Sequence, residues 1–192
     1  MKGEWGYFNK YVDKITCEKI IRELEPLCTQ EGKIGPVGDN INTSVRNTKI
    51  CFIEYTDSRF TYIFDIFWRT ALITNDQFFQ FNISRLNFLQ FSKYEGDLNS
   101  QYKKHKDVFW INGDPVYHRK LSGMLQLSDP NSYEGGEFQI VDYSIESRPP
   151  PSDIREQGSI LYIPSFVDHQ VTPVTKGTRY SIVAWFEGKK WT

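Results

Sequence analysis

No stretch of this chain approaches the ~20 consecutive apolar residues that a membrane-spanning helix needs, and the opening segment MKGEWGYFNKYVDK lacks the apolar core of a secretory leader. The expectation is a cytoplasmic protein with no membrane partner. Cysteine is scarce: Cys17, Cys28 and Cys51 form an odd set without CxxC spacing, which disfavours both a disulfide framework and a cysteine metal knot and fits free thiols. An excess of either charge is also missing. With 23 basic and 24 acidic residues the formal net charge is −1, so the global field argues neither for nor against a nucleic-acid or membrane partner. Histidine is scarcer still, at three, and low-complexity linkers and internal repeats are absent.

What is present is aromatic bulk. Phe, Tyr and Trp make up 16% of the 192 residues, which favours a sheet-rich fold in a chain long enough for one well-filled core. We read a single domain over residues 1–192, with helical support over 1–80 and a β core from about 81 to 192.

From Thr16, read as an N-cap, Ile20, Ile21, Leu24, Leu27 and Cys28 recur at helical spacing up to Gly32, with Cys17 on the same face. Residues 33–44 read as a loop and Lys49 to Glu54 as a short strand. A second helical stripe follows in Phe60, Ile63, Phe64, Phe67, Trp68 and Leu72. After Asp76 the period changes to two, through Phe79, Phe81, Ile83, Leu86, Phe88, Gln90 and Ser92. Further strands are expected at 120–127, 136–141, 159–163, 166–172 and 179–186. Many short strands behind two helices predict a mainly β protein with a jelly-roll, or double-stranded β-helix, cupin-like core. Segments 109–119 and 142–157 flank the candidate site in sequence and read as lids.

That site begins with His105-Lys106-Asp107. In extended chain, side chains at i and i+2 point the same way, so this histidine and carboxylate converge on one ion. His169 supplies a second imidazole. Two histidines and a carboxylate on one face of Fe(II) leave its other positions open, as non-haem iron chemistry requires. Ten residues on stands Arg179, a fixed cation whose planar fork suits the far carboxylate of a dicarboxylate. HQVTPVTKGTRYSIVAWF reads as a hairpin turning at Thr175-Lys176-Gly177, which would set His169 and Arg179 nearly opposite, on the order of 5 Å apart, with Ser181 facing the same carboxylate. His118 fits no pattern and reads as an exposed loop residue. Lys103, Lys104 and Lys106 read as a solvated edge, with attraction of an anionic substrate, Arg119 and Lys120 adding to it, as the alternative; Gly135-Gly136 reads as a turn or bulge.

The segments 93–107, 121–142 and 158–186, and more weakly SVRNTKICFIE at 44–54, carry a likeness. The chain resembles the Fe(II)/2-oxoglutarate-dependent dioxygenases, within them the prolyl-4-hydroxylase-like group that includes bacterial PKHD-type hydroxylases. The stretches LSDP, YEGGEF and HQVTPVTKGTR look most like the PKHD-type enzymes. The resemblance implies His105, Asp107 and His169 as metal ligands and Arg179 as the basic residue that binds 2-oxoglutarate. It matches Tyr94 to a tyrosine on that same carboxylate, Tyr102 and Trp185 to pocket aromatics, and Gln126 to a further co-substrate contact. The Tyr94-to-His105 spacer departs from the pattern, carrying DLNS where relatives are commonly shorter or glycine-rich. The implied cofactors are Fe(II), 2-oxoglutarate and O2, with ascorbate as a reductant. The implied reaction is hydroxylation, foremost of prolyl residues in a protein or peptide, with 2-oxoglutarate converted to succinate and CO2. The same chemistry on a nucleobase or small molecule, and a jelly-roll module that binds without turnover, stand as alternatives.

Overall fold

The fold is described from a computed structural model covering residues 4–34, 41–141, 149 and 151–191. The chain opens with β1 (Gly6–Phe8), α1 (Lys14–Leu24) and two short strands, β2 (Gln30–Glu31) and β3 (Lys49–Glu54). After α2 (Thr61–Thr74) come β4 (Phe88–Glu95), β5 (Tyr102–His105), β6 (Tyr117–Gln126), β7 (Tyr133–Gly135) and β8 (Phe138–Ile140). A short α3 (Pro151–Arg155) precedes β9 (Ile160–Pro164), β10 (His169–Val171) and the 16-residue β11 (Val174–Lys189).

These strands form two sheets. The larger has eight strands in the order β1-β9-β6-β11-β4-β3-β2, with β7 added on β11; the smaller runs β5-β10-β8. The pairings between named strands are all antiparallel. With α1 and α2 on the outer face of the large sheet, this is the jelly-roll architecture that the strand-rich pattern predicts.

Strict alternation along the central strands explains the layering, because successive side chains leave a strand on opposite faces. Leu89 and Phe91 of β4, Leu121 and Leu125 of β6, Ile160 and Tyr162 of β9, and Ile182, Ala184 and Phe186 of β11 pack with Cys17, Ile20, Leu24, Ile63, Phe64 and Phe67 of the helices. Residues of the other parity, among them Tyr94, Met124, Leu161 and Ile163, meet Phe138, Ile140 and Val171 of the small sheet. Both faces of the large sheet are therefore buried. Tyr162 pins α2 to it: its hydroxyl lies 2.7 Å from Thr70 Oγ1 and donates to the Phe67 carbonyl at 3.0 Å. Gly123, opposite Tyr162 in the ladder, leaves room for that ring, since a Cβ there would sit 2.5 Å from Cε1.

Several expectations need correction. Asp13, not Thr16, caps α1; its carboxylate accepts from the Thr16 amide at 2.9 Å and from the Thr16 hydroxyl at 2.8 Å, placing Thr16 inside the first turn. Leu72 falls on the solvent side of α2, 54% exposed, because the buried stripe continues through Thr70, Ala71 and Thr74. Phe79, Phe81 and Ile83 are not in a strand. The helix runs on through a π turn at Asn75–Phe79, closed by Gln80 in the left-handed region (φ 56°), and the Asn75 side chain binds both the Phe81 amide and carbonyl. Those local bonds take the backbone groups that a ladder would have used. His118 is buried within β6, its ring edge-on to Trp110 at 5.3 Å.

The hairpin between His169 and Arg179 does not form either. Thr175, Lys176 and Gly177 lie within β11, which pairs there with β7, while β10 belongs to the small sheet. Of the two expected lids, 109–119 is irregular chain up to 116 and then enters β6, while 142–157 lies outside the described residues at 142–148 and 150 and contains α3. Cys17, Cys28 and Cys51 are buried free thiols, as expected. No described helix is long and apolar enough to cross a membrane.

Candidate metal and co-substrate site

Between the two sheets lies a cavity, part of it continuous with solvent, whose walls come from both sheets. The small sheet supplies two of the three side chains that could hold a metal ion. His105 ends β5 and His169 begins β10, directly opposite in the ladder. Two residues further along β10, Val171 pairs with Tyr102, three residues from His105, so β5 carries one extra residue. Such a bulge resets side-chain direction, and Tyr102 and His105 come to lie ring on ring at 3.5 Å. Asp107 follows the strand, its backbone N–H donating to the Ser165 carbonyl at 2.9 Å.

The ligand atoms of His105, Asp107 and His169 lie within 4.8 Å of one another. The His105 Nε2 is 3.7 Å from Asp107 Oδ1, and the His169 Nε2 is 3.6 Å from Asp107 Oδ2. Each ring turns its other nitrogen outward. Nδ1 of His105 meets the Lys103 carbonyl at 2.8 Å, and Nδ1 of His169 meets the Val167 carbonyl at 3.0 Å. A carbonyl only accepts, so each Nδ1 carries the proton and each Nε2 lone pair faces the shared centre. Burial, then the facing His169, pushes the His105 pKa down to about 3, which keeps that ring neutral and available as a ligand. For Asp107 burial works the other way, but His169, His105 and Arg119 and a 2.7 Å hydrogen bond from Ser122 outweigh it, and the carboxyl stays below its usual range. Two neutral imidazoles and one carboxylate, braced from behind, suit a ferrous ion.

Arg179 is the largest fully buried side chain, 2% exposed. Its Nη1 lies 3.4 Å from Ser181 Oγ and its Nη2 3.3 Å from Met124 Sδ, with the guanidinium over the Tyr94 ring at 5.2 Å. Among the described residues it has no carboxylate partner. A buried, uncompensated guanidinium is costly, and an incoming anion removes that cost. Gly136 makes the space: with φ at 62°, a Cβ there would meet Val174 Cγ2 at 2.7 Å and Arg179 Cδ at 3.0 Å.

Arg179 and the triad line one cavity together with Tyr94, Tyr102, Ser181 and Trp185. Arg179 reaches it from β11 of the large sheet and His169 from the small one, so they meet across the sandwich and not across a hairpin. Gln126 does not line the cavity, and its amide donates to Tyr133 at 3.0 Å. Burial raises the Tyr102 phenol to about 12, so it is a neutral donor. Sequence reasoning passed over Ser122, Gln90, Met124 and Arg46 as site residues, and met Arg119 only as part of a basic cluster near His105. Ser122, Gln90 and Met124 share the parity of known cavity positions on β6 and β4, a signal that alternation alone carries.

The sequence profile of the 2OG-Fe(II) oxygenase superfamily matches residues 89–187. The chain belongs to that superfamily, and the matched span contains the triad and Arg179. The "PKHD-type hydroxylase" of Crocosphaera subtropica is 36% identical over 104 residues, 52% of this chain and 42% of that protein. That of Aliarcobacter butzleri is 34% identical over 138 residues, 69% of this chain and 57% of that one. The chain thus spans about half the length of the curated relatives it matches. In fold it is similar to a Pseudomonas putida prolyl-4-hydroxylase (TM-score 0.67, 18% identity, covering 96% of this chain and 92% of that one). It is also similar to a Trichoplax adhaerens prolyl hydroxylase solved with a hypoxia-inducible-factor peptide fragment (TM-score 0.73, 15% identity, 96% and 83% covered).

Proposed function

We propose that this protein is an Fe(II)- and 2-oxoglutarate-dependent hydroxylase of prolyl residues in a protein or peptide. One observation carries the reading: a fully buried guanidinium without an anionic partner among the described residues opens on the same cavity as a His/Asp/His triad. A ligand with a chelating keto-acid at one end and a carboxylate at the other satisfies both. The prolyl preference rests on the relatives named as PKHD-type hydroxylases and on structural neighbours named as prolyl hydroxylases.

Iron and 2-oxoglutarate, when bound, supply an oxidative hydroxylation in which 2-oxoglutarate leaves as succinate and CO2. The chain's own part is placement. His105, Asp107 and His169 hold one face of the ion, and Ser122 fixes the carboxylate orientation. Arg179, aided by the Ser181 hydroxyl and Tyr94, holds the distal carboxylate against the inner wall. Phe138, Leu161, Ile163 and Val171 line the cavity and keep water from it. Tyr102 and Trp185, at the cavity's other end, orient one C–H bond of the substrate.

The test is succinate production by the protein with Fe(II), 2-oxoglutarate and oxygen, with and without proline-containing peptides, and a gain of 16 Da in the peptide. Asp107→Ala, which removes a ligand, reduces both to background. A protein that binds iron and 2-oxoglutarate but forms no succinate under any of these conditions is a binding module instead.

A further inference from the structure

Beyond the triad the cavity continues into a groove lined by Arg46, Tyr102, Phe109, Arg119 and Trp185. Arg46 is 5% exposed; its Nε donates to Thr48 Oγ1 at 2.9 Å and its Nη1 to the Lys33 carbonyl at 3.1 Å, while the buried Nη2 has no partner among the described residues. The Arg46 guanidinium also lies over the Tyr102 ring at 4.5 Å. That of Arg119 lies over Trp185 at 4.0 Å and over Phe109 at 5.1 Å, with no hydrogen bond or ion pair among the described residues. Trp185 Nε1 is buried and likewise without an acceptor.

These three unspent polar groups are all donors, and two bear permanent charge. Asp107, the one carboxylate in the lining, is already engaged by the two histidines and Ser122, and Arg119 feels its charge without bonding it. What the groove lacks is an acceptor with negative charge. The arrangement is distinct from the Arg179 anchor: Arg179 lines the inner cavity and not the groove, Arg119 the groove and not the inner cavity, and Arg46 both. The lining thus places Arg119 and Arg179 in different compartments that meet at Arg46 and Asp107, and the co-substrate reading above engages only Arg179.

Resting on the hydroxylase reading above, we propose that the groove is a substrate subsite for a carboxylate carried next to the carbon that is hydroxylated, gripped by Arg46 and Arg119. Two sources share that chemistry. One is the side chain of an acidic residue flanking the target in a peptide; the other is the α-carboxylate of a free amino acid. Guanidinium forks match a carboxylate geometrically, and their aromatic backing strips water from them.

The test compares matched probes on the full chain with Fe(II), 2-oxoglutarate and oxygen: capped proline pentapeptides with Glu or Gln beside the proline, and free L-proline against L-prolinamide. The wild type should favour the carboxylate member of one pair by at least about tenfold in kcat/KM, as charged hydrogen bonds to a desolvated site imply. The pair showing the preference identifies the source. Arg119→Gln and Arg46→Gln should each bring the ratio toward one, and because it is taken within one variant, a general loss of activity does not imitate this. Equal kcat/KM within both pairs, or a preference untouched in both variants, overturns the subsite. If the wild type makes no succinate, the hydroxylase reading fails on its own. Calorimetry of the same four probes on Mn(II)-loaded protein then still decides the subsite, and carboxylate probes binding no tighter than their amides overturn it.

Discussion

At the scale of single residues, the site is a contrast between charges that are matched and charges that are not. Asp107 is surrounded by the triad histidines and a serine hydroxyl, whereas Arg179 is just as deeply buried with a hydroxyl, a thioether and the Tyr94 ring beside it and no carboxylate among the described residues. Arg179→Ala should therefore raise the apparent KM for 2-oxoglutarate far more than it lowers the fold's thermal midpoint. Arg179→Lys should be less damaging, since one charge survives without the fork. Unchanged co-substrate affinity in initial-rate measurements would place the anchor elsewhere. His118 is a second case of a buried polar group left alone, with neither ring nitrogen bonded among the described residues. Burial, with Lys190 and Lys120 adding to it, holds its pKa below the ordinary value. A pKa lower in the folded than in the unfolded state means that unfolding takes up a proton. His118 therefore leaves stability intact above the ordinary histidine pKa of about 6.5 and reduces it as pH falls from there toward the folded value. In His118→Phe the fall of the thermal midpoint below that pH should be shallower; an identical profile would show that this ring does not titrate on unfolding.

At the scale of elements, parity along β4, β6, β9 and β11 decides what each residue does. One parity packs under the helices and the other faces the cavity, so Ser122, Gln90, Arg179 and Ser181 are polar on a buried face because that face is the site. Much of this is legible beforehand: Lys49 to Glu54 coincides with β3, and the metal triad stands out as residue types at the right spacing. What the sequence hides is which strands are neighbours. A jelly roll sends consecutive strands to different sheets, so reading β10 and β11 as a hairpin assumed local pairing where the chain instead crosses the sandwich. The pairing of Arg46 with Arg119 stayed hidden for the same reason, since they lie 73 residues apart in number, although Arg119 is legible as part of a basic cluster near His105. Phe79 to Ile83 failed because alternating apolar residues were recruited by the end of a helix through the Asn75 side chain. The contact between α2 and the large sheet gives a test at this level. Tyr162→Phe leaves the Phe67 carbonyl and Thr70 with one hydrogen bond fewer in a buried place, and should cost about 1–2 kcal/mol in denaturant midpoint analysis. A loss near zero would mean that packing alone seats the helix.

For the molecule as a whole, the triad belongs to the small sheet and its edge while Arg179 belongs to the large one. A ligand of the native state raises stability by mass action. Mn(II) at a hundredfold excess over its dissociation constant should add roughly 2.7 kcal/mol, seen as an upward shift of the thermal midpoint in scanning calorimetry, and Asp107→Ala should abolish that shift. An equal shift in the variant would locate the ion at another place.

The two-sheet partition also bears on how the protein fails. The large sheet keeps its helices as a second core whatever happens on its other side, whereas the three short strands of the small sheet have the seam and a few backbone bonds from β5 to residues 45–47. Peeling at that seam would separate the His/Asp/His cluster from Arg179 while leaving most of the protein folded, so on the proposed function loss of activity on warming should precede melting.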